Sequence, residues 1–123
     1  MPKDITDDSD FEIHFCEGLL QKNPHFVQAL TLLAELYTKK GLYAKGLEMD
    51  KKLALLQPDN GIVFYNLACS YSLLHEIENA FEALKKAVEL GYDELAYMLE
   101  DKDLQNLRED KRFQEYFSSL EQK

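Results

Sequence analysis

The chain contains no tryptophan, two cysteines, three prolines and five glycines in 123 residues. With only Cys16 and Cys69 there is no disulfide framework, and both are read as reduced thiols of a cytosolic protein. Scarce proline and glycine leave room for long helices. Valine and isoleucine are sparse, and no alternating pattern marks a strand. No apolar run approaches the ~18 residues of a membrane span, and the start, "MPKDITDDSD", lacks the apolar segment of a secretory leader. Positive charge is also short: 14 basic against 23 acidic residues leave a net charge of −9. An acidic surface repels phosphate backbones and anionic lipid, so nucleic-acid and membrane-surface roles are disfavoured.

What is present is 46% hydrophobic and 30% charged, the balance of a soluble globular chain. The acid is partly local. Residues 1–8 read as a flexible acidic tail, and the rest, 9–123, as one domain.

The main signal is self-similarity at a spacing of 34. "LLAELY" at Leu32–Tyr37 is echoed by "NLACSY" at Asn66–Tyr71. Leu30, Leu33, Ala34 and Tyr37 fall on Phe64, Leu67, Ala68 and Tyr71, and Gly46 falls on Ala80. A half-copy lies upstream, because Leu19 and Pro24 precede Leu53 and Pro58 by the same interval. The divisions are therefore 9–24, a half-unit; 27–60 and 61–94, two full units; and 95–123, a closing segment.

Each full unit predicts two helices. In the first, the matched residues recur at steps of three and four, on one helical face. The second helices are expected at about Tyr43–Leu56 and Ile77–Leu90. Pro24 after Asn23 and "PDN" at Pro58–Asn60 read as start signals, and "KKG" ending at Gly41 as a stop. Ser9 and Glu12 have the spacing of a capping box, and Asp103 and Asp110 read as N-caps in the tail. Glu48–Lys52 and Glu82–Lys86 are spaced as ion pairs on exposed faces. Small Ala34 and Ala68 suit close approach of two helices. One hairpin cannot bury its apolar face alone, so hairpins must stack.

This pattern resembles the tetratricopeptide repeat. The matching residues are Leu30, Leu33, Ala34, Tyr37, Gly46, Asp50, Leu53 and Pro58, then Phe64, Leu67, Ala68, Tyr71, Ala80, Leu84, Ala87 and Tyr92. The tail resembles the "DxDLxxLRxDxRF" endings that follow bacterial repeats of this kind. The resemblance implies an all-α fold: a right-handed superhelical stack of antiparallel helix hairpins, with an N-terminal half-repeat and C-terminal capping helices. Two departures carry expectations. Asp50 stands at an apolar position, so it is expected either to be partly solvated or to have the gap covered by Met49 and Leu53. Tyr92 replaces a proline, so the chain beyond it is expected to leave the repeat path, with Leu95, Met98, Leu104, Leu107, Phe113 and Phe117 covering an open end.

No residue set carries chemistry. His14, His25 and His75 are far apart, and no cluster supplies the roughly four ligands of zinc. Cys69 has no histidine beside it in sequence to act as a base. The glycines are scattered singly, which excludes a phosphate loop. No enzyme, metal or cofactor is expected. The resemblance implies instead a concave groove lined by first helices: Gln28, Thr31, Glu35, Thr38, Ile62, Tyr65, Asn66, Cys69 and Ser72, together with Lys39 and Leu73. Tyr65 would give a rigid contact. Asn66 would either clamp a peptide backbone or cap neighbouring backbone. Thr31 and Glu35 stand where relatives that grip C-terminal carboxylates place Lys and Asn, so a neutral or basic peptide or helix of a partner protein is expected. The alternatives are self-association as a homodimer through open stack ends, and a small chaperone for secreted proteins.

Overall fold

The computed structural model describes residues 8–122. Residues 1–7, most of the acidic tail, lie outside the described residues. Those described form helices and the short loops between them, with no strand among them. The order is α1 (Ser9–Lys22), α2 (Val27–Lys39), α3 (Tyr43–Leu56), α4 (Gly61–Leu73), α5 (Ile77–Glu89), α6 (Leu95–Glu100), a 3-10 turn (Lys102–Leu104), α7 (Gln105–Arg108) and α8 (Lys111–Glu121). No helix among the described residues is long and apolar enough to cross a membrane.

The helix starts keep the sequence period. α4 begins 34 residues after α2, and α5 begins 34 after α3. α1 spans Ser9–Lys22, which is α3 moved back by 34 at both ends. The tail keeps the phase as well: α6 starts 34 after α4, and α8 starts 34 after α5. In helix starts the chain beyond Tyr92 therefore stays on the repeat interval, contrary to expectation. What changes is continuity. The stretch equivalent to the whole of α4 is split at Asp101 into α6, the turn and α7. Asp101 stands where the full units have Leu33 and Leu67, and its side chain accepts from the Asp103 amide at 3.0 Å. A carboxylate that caps a new turn ends the preceding helix.

By its internal contacts the chain divides into two compact units, Met1–Pro58 and Asp59–Lys123, where the sequence reading drew one domain. In the first unit, α2 packs against both α1 and α3. Ile13 and Cys16 of α1 meet Ala29, Leu33, Leu36 and Tyr37 of α2, with Leu19, Leu20, Phe26 and Met49 half-buried around them. Leu30 and Ala34 are also buried on α2, as are Gly46, Leu47 and Leu53 on α3. A Cβ on Gly46 would lie 2.8 Å from Thr38 Oγ1, so glycine sets how closely α2 and α3 approach. Asp50 is 4% exposed, so of the two expectations the partly solvated carboxylate does not hold; Leu53 is buried and Met49 half-buried. Asp50 is engaged rather than free, as a buried carboxylate must be.

In the second unit, α4 lies against α5. Ala68, Ala80, Leu84 and Ala87 are fully buried. Met98, Leu104 and Leu107 are also fully buried, and Phe113 and Phe117 nearly so. Leu95 is half-buried. Arg112 of α8 reaches Glu78 of α5 at 3.0 Å, and the Tyr116 ring meets Phe81 edge-on at 5.7 Å.

Local signals explain the helix ends. Asn60 accepts from the amides of Ile62 and Val63 at 3.0 and 3.3 Å, and Asp110 accepts from that of Arg112 at 2.8 Å. Helices α2, α4 and α5 close alike. A left-handed residue follows the helix, and the next amide bonds back five residues: Leu42 to Tyr37, Glu76 to Tyr71, Tyr92 to Ala87. The left-handed residue is Gly41 (φ 81°) in the first case and Gly91 (φ 106°) in the last. In the second it is His75 (φ 61°), 34 residues after Gly41, in a conformation costly for a residue with a Cβ. Three expectations shift. Asp8, not Ser9, holds the α1 N-cap, without a side-chain cap bond, so there is no capping box at Ser9. Asp101 rather than Asp103 caps the tail turn. Glu82 pairs with Lys85 at 3.2 Å, one residue short of the predicted Lys86.

Candidate functional site

The residues read as groove-lining divide sharply by exposure. On α2, Gln28, Thr31 and Glu35 are exposed, with Lys39 beside them, and Thr38 is half-buried. On α4, Ile62 (63% exposed) and Asn66 face solvent, and Leu73 is half-buried. Tyr65, Cys69 and Ser72 are buried, at 4%, 8% and 0%. These three recur at steps of four and three, so they share one face of α4. That face meets residues 101–107 of the chain itself, and here the structure departs from the sequence reading.

Four contacts hold this segment to α4. The Tyr65 hydroxyl donates to Asp101 Oδ2 at 2.7 Å, and the Cys69 thiol approaches the same oxygen at 3.6 Å. Ser72 Oγ accepts from the Leu107 amide at 3.1 Å. The Ser72 carbonyl accepts from Asn106 Nδ2 at 2.9 Å, and Asn106 also lies 3.3 Å from His75 Nε2. Arg108 ties the segment to itself by donating to the carbonyls of Met98 and Asp101 at 2.7 and 2.6 Å. The Tyr65 ring stacks on Tyr92 at 4.2 Å and leans on Tyr97 at 6.3 Å.

Burial dominates the electrostatics around these contacts. Burial pushes the Cys69 thiol well up, and the Asp101 carboxylate pushes it further, so the nucleophilic thiolate is suppressed. Burial likewise raises Tyr65, with the neighbouring Cys69 and Asp101 adding to it. Tyr65 stays neutral and keeps its donor. Tyr92 is pushed up to about 12, chiefly by burial. Asp103 is raised by burial and by the like charge of Asp101. In the first unit, Tyr37 donates to Glu17 and is pushed up to about 12, first by burial and then by that bond. Among the described residues, no three His, Cys, Asp or Glu side chains are grouped to hold a metal ion.

Sequence reasoning missed Asp101, Asn106 and Tyr92 as partners of α4. The signal was available for Asn106, which lies 34 residues after Ser72, its contact. Asp101 carried no such signal, because a carboxylate at the position of Leu67 reads as a break in the pattern.

No family model matches the chain. It is similar to a chloroplastic protein of Arabidopsis thaliana, at 31% identity over 80 residues, 63% of this chain and 24% of that protein. It is also similar to the general transcriptional corepressor trfA of Dictyostelium discoideum, at 29% identity over 72 residues, 58% of this chain and 5% of that protein. The similarity thus spans about a quarter of one relative and about a twentieth of the other.

Proposed function

We propose that this chain is a non-catalytic protein-interaction module built from helix hairpins of the tetratricopeptide type. The observation that carries the reading is the 34-residue recurrence of helix starts, in which α2–α3 and α4–α5 repeat one hairpin. A stack of such repeats offers helix faces as an extended binding surface. Two relatives whose names share no activity resemble this chain over a small part of their length, as suits a module used in different proteins.

The proposed contacts are the exposed members of the predicted set, taken within each unit by itself. These are Gln28, Thr31 and Glu35 on α2, and Ile62 and Asn66 on α4. Ile62 is a large apolar side chain 63% exposed beside an amide, a combination that suits an apolar anchor with a backbone clamp. With Glu35 on α2 and a net charge of −9, a neutral or basic peptide or helix is the proposed ligand. Tyr65, Cys69 and Ser72 hold the C-terminal segment in this reading and are not offered to a partner.

The test is affinity capture with mass spectrometry, comparing the wild-type chain with Ile62→Ala/Asn66→Ala and with Glu35→Lys. Loss of the captured proteins with unchanged helical content is expected. An identical set from all three baits would remove the assignment.

A further inference from the structure

Two aromatic rings stand in water on α1. Phe11 is 73% exposed and Phe15 59%, with the rings stacked at 6.5 Å and 13° between planes. The full units leave the equivalents of Phe11, Lys45 and Asn79, exposed but not those of Phe15. Met49, 34 residues after Phe15, is half-buried, and Ala83, 68 after it, is buried. Gly18 lies on the same side as the two rings, and a Cβ added there would meet nothing within 4 Å. Asp8, Phe11, Phe15, Gly18 and Lys22 follow each other at steps of three and four, so they form one stripe ~21 Å long. Its ends carry opposite charge.

We propose that this stripe is a self-pairing surface, through which two copies of the chain associate with their α1 helices antiparallel. About a two-fold axis at Phe15, Asp8 of one copy meets Lys22 of the other, and Phe11 falls opposite position 19, one residue from the open space at Gly18. Phe15 meets its own counterpart. A parallel pairing would put acid on acid, in a chain that already carries a net charge of −9. The antiparallel pairing places a cation on an anion at both ends and reads the same from either copy, as an isologous contact requires. Two flanking acids are already engaged within the unit: Asp10 with Lys40 at 3.1 Å, and Glu17 with Tyr37. One helix face offers less than the ~800 Å² per partner of a standard interface, so the dimer is weak and concentration-dependent. The surface lies on α1 and is independent of the contacts proposed on α2 and α4.

Sedimentation equilibrium of the full chain over a concentration series tests this. A monomer–dimer equilibrium is expected, weakened roughly tenfold or more by Phe15→Ala. Asp8→Lys alone and Lys22→Asp alone should each weaken it, because each sets like charges against each other. An equimolar mixture of the two should recover the dimer, since every end contact is then Lys against Asp. All these side chains are exposed, and far-ultraviolet circular dichroism checks that the variants fold. A monomer at every concentration, a dimer indifferent to Phe15→Ala, or a mixture no better than its components overturns the proposal. So does a foreign helix that binds the stripe while the chain alone stays monomeric.

Discussion

In the second unit Asp101 uses both of its carboxylate oxygens. One carboxylate oxygen caps the 3-10 turn, and the other takes the Tyr65 hydroxyl and faces the Cys69 thiol. Its own charge makes its neighbour costly. Asp103 has a raised pKa because it is partly buried and beside Asp101. A carboxyl whose folded pKa lies above its unfolded value binds its proton more tightly in the folded state. Its favourable contribution is therefore fully present below the unfolded pKa and lost as pH rises through the folded one. Asp103→Asn removes that loss. The variant is expected to unfold at a higher urea concentration than wild type near neutrality, with the difference closing as pH falls below the carboxylate range. A gap that stays constant with pH would mean that Asp103 is not the group responsible. None of this was legible in the sequence, where Asp101 and Asp103 are two of several tail acids and only the folded path decides which one caps.

At the scale of elements, two helical glycines have opposite meanings. Glycine inside a helix costs about 1 kcal/mol relative to alanine. Gly18 meets nothing, so Gly18→Ala is expected to stabilise the chain by about that amount, measured by urea denaturation at a concentration where it is monomeric. Gly46 sits where an added methyl would press on Thr38 Oγ1 at 2.8 Å. There Gly46→Ala should gain little or lose stability, and Thr38→Ala in the same chain should release the gain. A double-mutant cycle reads this coupling directly; additive effects would refute the close approach. The helices themselves were readable because their signals are local. Asn60, Asp110 and Gly41 each act within a few residues of their own position. His75 was not readable as a helix stop, since its left-handed backbone is held by Tyr71 and Ser72 carbonyls and not by any preference of histidine.

For the whole molecule, the C-terminal segment decides which surface remains. Residues 101–107 lie over Tyr65, Cys69 and Ser72, and removing the chain beyond Glu94 is expected to expose that face. The readout is the Cys69 thiol, which should react slowly with a thiol reagent in the intact chain and quickly in a chain ending at Glu94, with Cys16→Ala as background. Fast reaction in the intact chain would show that the segment does not hold. The sequence determined the helical class, the 34-residue interval and most helix starts, because hydrophobic period and capping depend on neighbours a turn or two away. Only the tertiary structure decided that Asp50 is buried, that the third interval breaks at Asp101, and that half of α4's predicted contact face is already taken. Those outcomes depend on which distant polar groups find partners once the helices are packed, and a periodic pattern carries no record of that choice.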